Sequence, residues 1–123
     1  MKIKSYKDLN IWKRSIDLVN HIYGITHLFP REELYGLTSQ IRRSVISIPS
    51  NIAEGFARVY NKEYRQFLYI AIGSCAELET QVIIANNLKY LDEANYNKIS
   101  SEIEVICKMI TNLIKRINEN QAK

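Results

Sequence analysis

YNKISSEIEVICKMITNLIKRI, residues 96–117, decides the fold. Its apolar residues Tyr96, Ile99, Ile103, Ile106, Ile110, Leu113 and Ile117 recur at alternating steps of three and four. That spacing places them on one stripe of an α-helix, with Asn97, Glu104, Lys108 and Lys115 opposite. A helix apolar on one side must bury that side against other helices, so the stretch predicts the outer helix of an antiparallel bundle.

Upstream, three more segments carry the same periodicity, and none shows the sustained alternation of a strand. A helix is expected from about Asn61, as N-cap, to Asn87, with Tyr64, Phe67, Ala71, Cys75, Leu78, Val82 and Ala85 on its core stripe. Another is expected from about Glu32 to Arg58, carrying Leu34, Leu37, Ile41, Val45, Ile48, Ile52 and Phe56. Pro49 inside it predicts a kink or a broken turn, because proline lacks an amide donor and clashes with the carbonyl four residues back. Gly55 is expected to loosen its end. The first helix should span about Asp8 to Leu28 and stop before Pro30. Short links near 29–31, 58–62 and 88–94 make sequential helices antiparallel, which predicts an all-α, left-handed, up-down-up-down four-helix bundle.

The chain has 123 residues, 46% hydrophobic and 24% charged, with only four glycines and two prolines. That composition suits one folded domain over 1–123 and excludes disordered and collagen-like classes. The longest uncharged stretch, Leu18 to Pro30, is 13 residues, short of the roughly 18 to 20 apolar residues of a membrane span. No apolar leader segment follows the basic start. Cys75 and Cys107 sit inside apolar helical patterns without metal-type spacing, which fits free thiols in a reducing compartment. The expectation is a cytoplasmic protein with no membrane partner.

The net charge is +4 and the isoelectric point about 9.1, but the distribution is uneven. Residues 1–14 carry a net +4, 31–65 a net +2, 66–104 a net −4 and the tail from 105 a net +3. Clustered Lys and Arg create a positive potential that suits a phosphate backbone or an acidic partner; ordinary charge scatter on solvated helix faces is the other reading. Along the second helix, Gln40, Arg43, Ser47, Asn51, Glu54 and Arg58 recur at helical steps and predict a polar strip. Such a strip can hold phosphates through charge-assisted hydrogen bonds, or it can be a network that stabilises the bundle and an interface between subunits. Lys13, Arg14, Arg42, Arg43 and Arg58 are the candidate nucleic-acid contacts. Tyr60, near Arg58 and Lys62, is placed to stack on unpaired bases, whereas Tyr64 reads as core.

The second and third helices carry more apolar surface than one partner layer covers. Tyr69, Ile72, Ala76 and Ile83 form a second stripe on the third helix, and Tyr35, Ile46 and Ala53 do so on the second. Uncovered apolar patches mark interfaces, so a homo-oligomer is expected. Its candidate interface comprises Tyr35, Ile46, Ser47, Asn51, Glu54, Tyr69, Ile72, Gly73 and Ala76.

Constellations for catalysis are missing from the pattern. His21 and His27 have no glutamate three residues before them, as a di-metal bundle requires. There is no glycine-rich phosphate loop, and Ser44, Ser47 and Ser50 lie in no nucleophile elbow. Glu77 and Glu79 diverge around a helix and make a poor acid/base pair. The expectation is no enzyme, no metal and no cofactor.

Three segments, DLNIWKRSIDL (8–18), FPREELYGLTSQIRRSVISIPSNIAEG (29–55) and FLYIAIGSCAELE (67–79), resemble the family of 23S rRNA intervening-sequence proteins. QIRRSVISIPSNIAEG, from Gln40 to Gly55, is the most specific of these matches. The resemblance implies a small bacterial protein, in some cases encoded within inserts in large-subunit rRNA genes. It also implies an up-down bundle that assembles as a basic, barrel-shaped homopentamer without enzymatic activity. A related branch is the accessory variability protein of diversity-generating retroelements, which partners a reverse transcriptase and binds nucleic acid. The matching positions here are Arg42, Arg43, Ser47, Asn51, Glu54, Gly73, Ser74, Glu77 and Glu79. The function expected is therefore a nucleic-acid-binding accessory protein, for RNA or RNA and DNA; the alternative is a protein-interaction scaffold.

Overall fold

A computed structural model describes residues 3–122. Lys2 and Lys123, which add to the charge of the termini, lie outside the described residues. Four helices account for most of the chain: α1 (Asn10–Thr26), α2 (Leu37–Phe56), α3 (Asn61–Asn87) and α4 (Glu93–Ala122). No strand occurs among the described residues.

The helix ends differ from the sequence expectation for local reasons. Before α1, the Ser5 hydroxyl accepts the Lys7 amide at 3.1 Å and starts a separate 3₁₀ turn, Tyr6–Asp8. α1 ends two residues early, where the Phe29 amide bonds back to the Thr26 carbonyl and Phe29 turns into the core. α2 begins at Leu37 rather than Glu32. Arg31–Glu33 form a 3₁₀ turn, and the Glu33 carboxylate accepts the first α2 amide, from Leu37, at 3.3 Å. The other Glu33 oxygen accepts the Tyr90 hydroxyl at 2.9 Å, and that bond raises the Tyr90 pKa. Asn61 is the first residue of α3 and not its cap; Tyr60 holds the cap position without a side-chain bond.

α2 runs unbroken through Pro49, so the broken turn expected there does not occur. A proline in a helix interior costs roughly 3 kcal/mol. Here Pro49 is itself buried between Ile48 and Ile52, both fully buried, and that packing offsets the lost hydrogen bond. α2 ends at Phe56, two residues short of the expected Arg58 and directly after Gly55. Gly55 is buried where α3 comes closest: a methyl added there would stand 2.9 Å from the Phe67 Cβ and 3.2 Å from the Tyr64 carbonyl oxygen.

α1 packs on α2 and α4, and α3 packs on α2 and α4, around one core. Arg42 of α2 meets Tyr23 and Thr26 of α1, and Ser47 of α2 meets Ser74 of α3. Arg14 of α1 meets Glu102 of α4. In α4 the core stripe drifts, so that Ile114 is more deeply buried than Leu113; a straight helix slips about 20° per heptad against a 3.5-residue repeat. On α3 it is Leu68, not Phe67, that is fully buried, because the stripe runs through 64, 68, 71 and 75.

Burial also sets the chemistry of two core groups. It pushes the Cys75 thiol up to about 12, with nearby Cys107 and Glu79 adding to the effect. It pushes the Tyr64 phenol up to about 12 as well, against the opposing pull of Arg116.

Candidate nucleic-acid interface

The five candidate cations fall into different environments. Arg42 is half-buried. Its Nε donates to the Thr26 hydroxyl at 2.9 Å, and its guanidinium lies 4.6 Å from the Tyr23 ring centroid. Arg43, one residue on and therefore about 100° around the helix, is exposed. Arg14 is tied to Glu102 by a 3.1 Å ion pair, while Lys13 beside it is exposed. Arg58 lies beyond the end of α2 with its guanidinium 4.8 Å from the Phe67 centroid. Arg43 and the end of α2 at Phe56 are separated by about 20 Å of helix rise, so the arginines of α2 do not form one patch.

The polar strip read from α2 divides in the same way. Ser47 and Asn51 are directed toward α3: the Asn51 Nδ2 donates to the Ser47 hydroxyl at 2.9 Å and to the Ser47 carbonyl at 2.8 Å. The Ser47 hydroxyl stands 2.7 Å from that of Ser74, which in turn donates to the Ile70 carbonyl at 3.2 Å. This relay joins α2 to α3 inside one chain. Glu54 is exposed and makes no ion pair with Arg43.

The remaining interface candidates sit on the surface. Tyr35 is 94% exposed, and Ile46, Tyr69, Gly73 and Ala76 are also exposed. Ile72 and Ala53 are half-buried, and Ile83 is exposed. The sequence reading missed Ile70, Ile84 and Leu88, which extend the same uncovered surface of α3. The available signal was that α3 is apolar on most of its circumference. By length and composition α3 is apolar enough to cross a membrane. Its inner stripe, from Leu68 to Ala85, is buried against the other helices. The longest uncharged stretch lies elsewhere, because Glu77 and Glu79 interrupt the otherwise apolar run of α3.

Among the described residues, no three of His, Cys, Asp and Glu gather closely enough to hold a metal ion. His21 lies in a shallow recess with Arg14, Asp17, Lys98 and Glu102 between α1 and α4. His27 is exposed at the other end of α1.

Fold and surface together define a small all-helical protein whose distinguishing features are exposed cations and uncovered apolar helix faces. The chain belongs to the 23S rRNA-intervening sequence protein family, whose sequence profile matches residues 7–112. Among solved structures it is similar to a protein of unknown function from the S23 ribosomal protein family of Bacteroides thetaiotaomicron. The TM-score is 0.79 at 23% identity, covering 85% of this chain and 98% of the other. At that identity the likeness concerns the fold. No curated protein matches the sequence.

Proposed function

We propose that this chain is a non-enzymatic, single-domain, cytoplasmic accessory protein that binds RNA as a homo-oligomer, a pentamer by its family resemblance. No cofactor takes part. The bundle is read as left-handed and up-down-up-down, and contacts in which rising numbers on one helix meet falling numbers on the next support its antiparallel order. Ser47 meets Ser74 while Gly55 approaches Phe67, and Arg14 meets Glu102 while His21 shares a recess with Lys98.

The observation that carries the reading is membership of a family described by its link to 23S rRNA, in a chain of net charge +4. Five copies in a ring would focus the field on a phosphate chain far better than one. Lys13 and Arg43 are the freest of the proposed contacts. Arg14, Arg42 and Arg58 already hold partners and would have to exchange or share them. Tyr35, Ile46, Tyr69, Ile72, Gly73 and Ala76, with exposed Glu54, are proposed to build the subunit interface. Ser47 and Asn51 support it from behind by fixing α2 against α3.

The test is fluorescence anisotropy of a labelled structured rRNA fragment over a salt series, at a concentration where light scattering shows the oligomer intact. Phosphate binding releases counterions, so affinity should fall steeply with salt. Absence of binding at low salt would defeat the RNA reading and favour a scaffold that docks a protein on the uncovered apolar faces.

A further inference from the structure

The two ends of the bundle carry different charge. Residues 3–14, 54–65 and 115–120 hold nine lysines and arginines against four carboxylates, net +5. Residues 27–36 and 86–98 hold three against four, net −1. Contacts gather the first set at one end. The turn Tyr6–Asp8 packs on both α1 and α2, and Phe56 of α2 meets Tyr64 of α3 with ring centroids 6.1 Å apart. Arg116 of α4 is near enough to Tyr64 to act on its phenol, and it shares a recess with Ile11 of α1.

The link between α2 and α3 lies at this end. Val59 is 87% and Tyr60 69% exposed there, and the Tyr60 side chain makes no capping bond to α3. The two residues line a shallow open recess with Asn61, Lys62 and Glu63. An aromatic ring left in water between Arg58 and Lys62, at the more basic end of the bundle, is not explained by the packing of the bundle. It matches the combination used on unpaired strands: a ring for the base and cations for the adjoining phosphates.

We propose that this end of the bundle binds single-stranded RNA, with Tyr60 stacking on an unpaired base and Arg58, Lys62, Lys115 and Arg116 holding the flanking phosphates. The proposal rests on the RNA reading above and moves its centre away from Arg42 and Arg43. A paired strand is a poorer ligand, because bases stacked within a duplex offer no free face.

The experiment measures binding of a labelled 12-nucleotide oligouridine and of a blunt RNA duplex to the intact oligomer at low salt, for the wild type, Tyr60→Ala, Tyr60→Phe, Lys62→Glu and Arg43→Glu. The single strand should bind more tightly than the duplex. Tyr60→Ala should weaken it by about 5- to 100-fold, the loss of one stacked base. Tyr60→Phe should bind like the wild type, Lys62→Glu should lose affinity and salt dependence together, and Arg43→Glu, away from this end, should cost less affinity than Lys62→Glu. Ultraviolet cross-linking should place the uridine on the peptide containing Tyr60. If RNA binds but only Arg43→Glu weakens it, the RNA reading stands and this site is overturned. If neither RNA binds the wild type, the RNA reading itself falls and takes the site with it. A loss of oligomer mass in Tyr60→Ala, or tighter binding to anionic vesicles than to the oligouridine, would assign the link to assembly or to a membrane surface and overturn the proposal.

Discussion

Gly55→Ala tests whether α2 and α3 are as closely packed at their junction as the fold requires. The added methyl would meet the Cβ of Phe67 at 2.9 Å and the carbonyl oxygen of Tyr64 at 3.2 Å. Both atoms are anchored to the α3 backbone, so neither can rotate away and the helices must separate. Overpacking of this kind costs about 1–3 kcal/mol. Alanine returns at most about 1 kcal/mol of helix propensity, and less than that in the last turn. The net loss is about 1–2 kcal/mol, which for a chain of this size lowers Tm by about 3–10 °C. Gly24→Ala is the matched control, since nothing lies within 4 Å of its added methyl and it too stands in the last turn of its helix, α1. It should leave Tm unchanged or raise it by up to about 3 °C. The assay is thermal unfolding followed by circular dichroism, with both variants at one protein concentration because association also shifts Tm. An unchanged or raised Tm in Gly55→Ala, with Gly24→Ala behaving as expected, would refute the close approach.

The two adjacent arginines of α2 should separate in stability: Arg42→Ala loses its bond to Thr26 and its place over Tyr23, about 1–2 kcal/mol, whereas Arg43→Ala should stay within about 0.5 kcal/mol, as urea titration will show. Cys75 should be inert to a thiolate-selective reagent at pH 8 until the protein unfolds, because its thiol is buried and its pKa about 12; half-buried Cys107 should react first, and equal native rates would contradict the packing. The folded-state pKa values of Cys75 and Tyr64 are raised, from 9.0 and 10.0 to about 12, so the unfolded chain ionises first. Their stabilisation is complete below about pH 9 and is lost as the pH rises toward 12, which should appear as a urea midpoint that declines across that range.

What the sequence alone determined was the set of helices and their inner faces. The repeat from Tyr96 to Ile117 needed no tertiary information, because an apolar residue at every third or fourth position has one low-energy arrangement, a helix with that side buried. The same holds for Ile41, Val45, Ile48 and Ile52, all of them deeply buried. It also indicated the apolar surplus of α2 and α3, since that is a count of positions around a circle.

Only the tertiary structure decided how the polar residues are used. Arg42 and Arg43 are neighbours in sequence and equal in charge. One is fixed over Tyr23 and the other is in water, because the direction of a side chain depends on which helix lies beside it. Ser47 and Asn51 fit a solvent-facing strip by spacing, yet Ser74 on α3 draws them into a relay between helices. Pro49 would break an isolated helix, and burial holds it inside α2. The gathering of cations at one end of the bundle, with Tyr60 at its tip, comes from segments as far apart as Lys4 and Arg116. Periodicity is a local property and determines the helices, whereas charge clustering and hydrogen-bond partners depend on contacts between distant segments and exist only once the helices have packed.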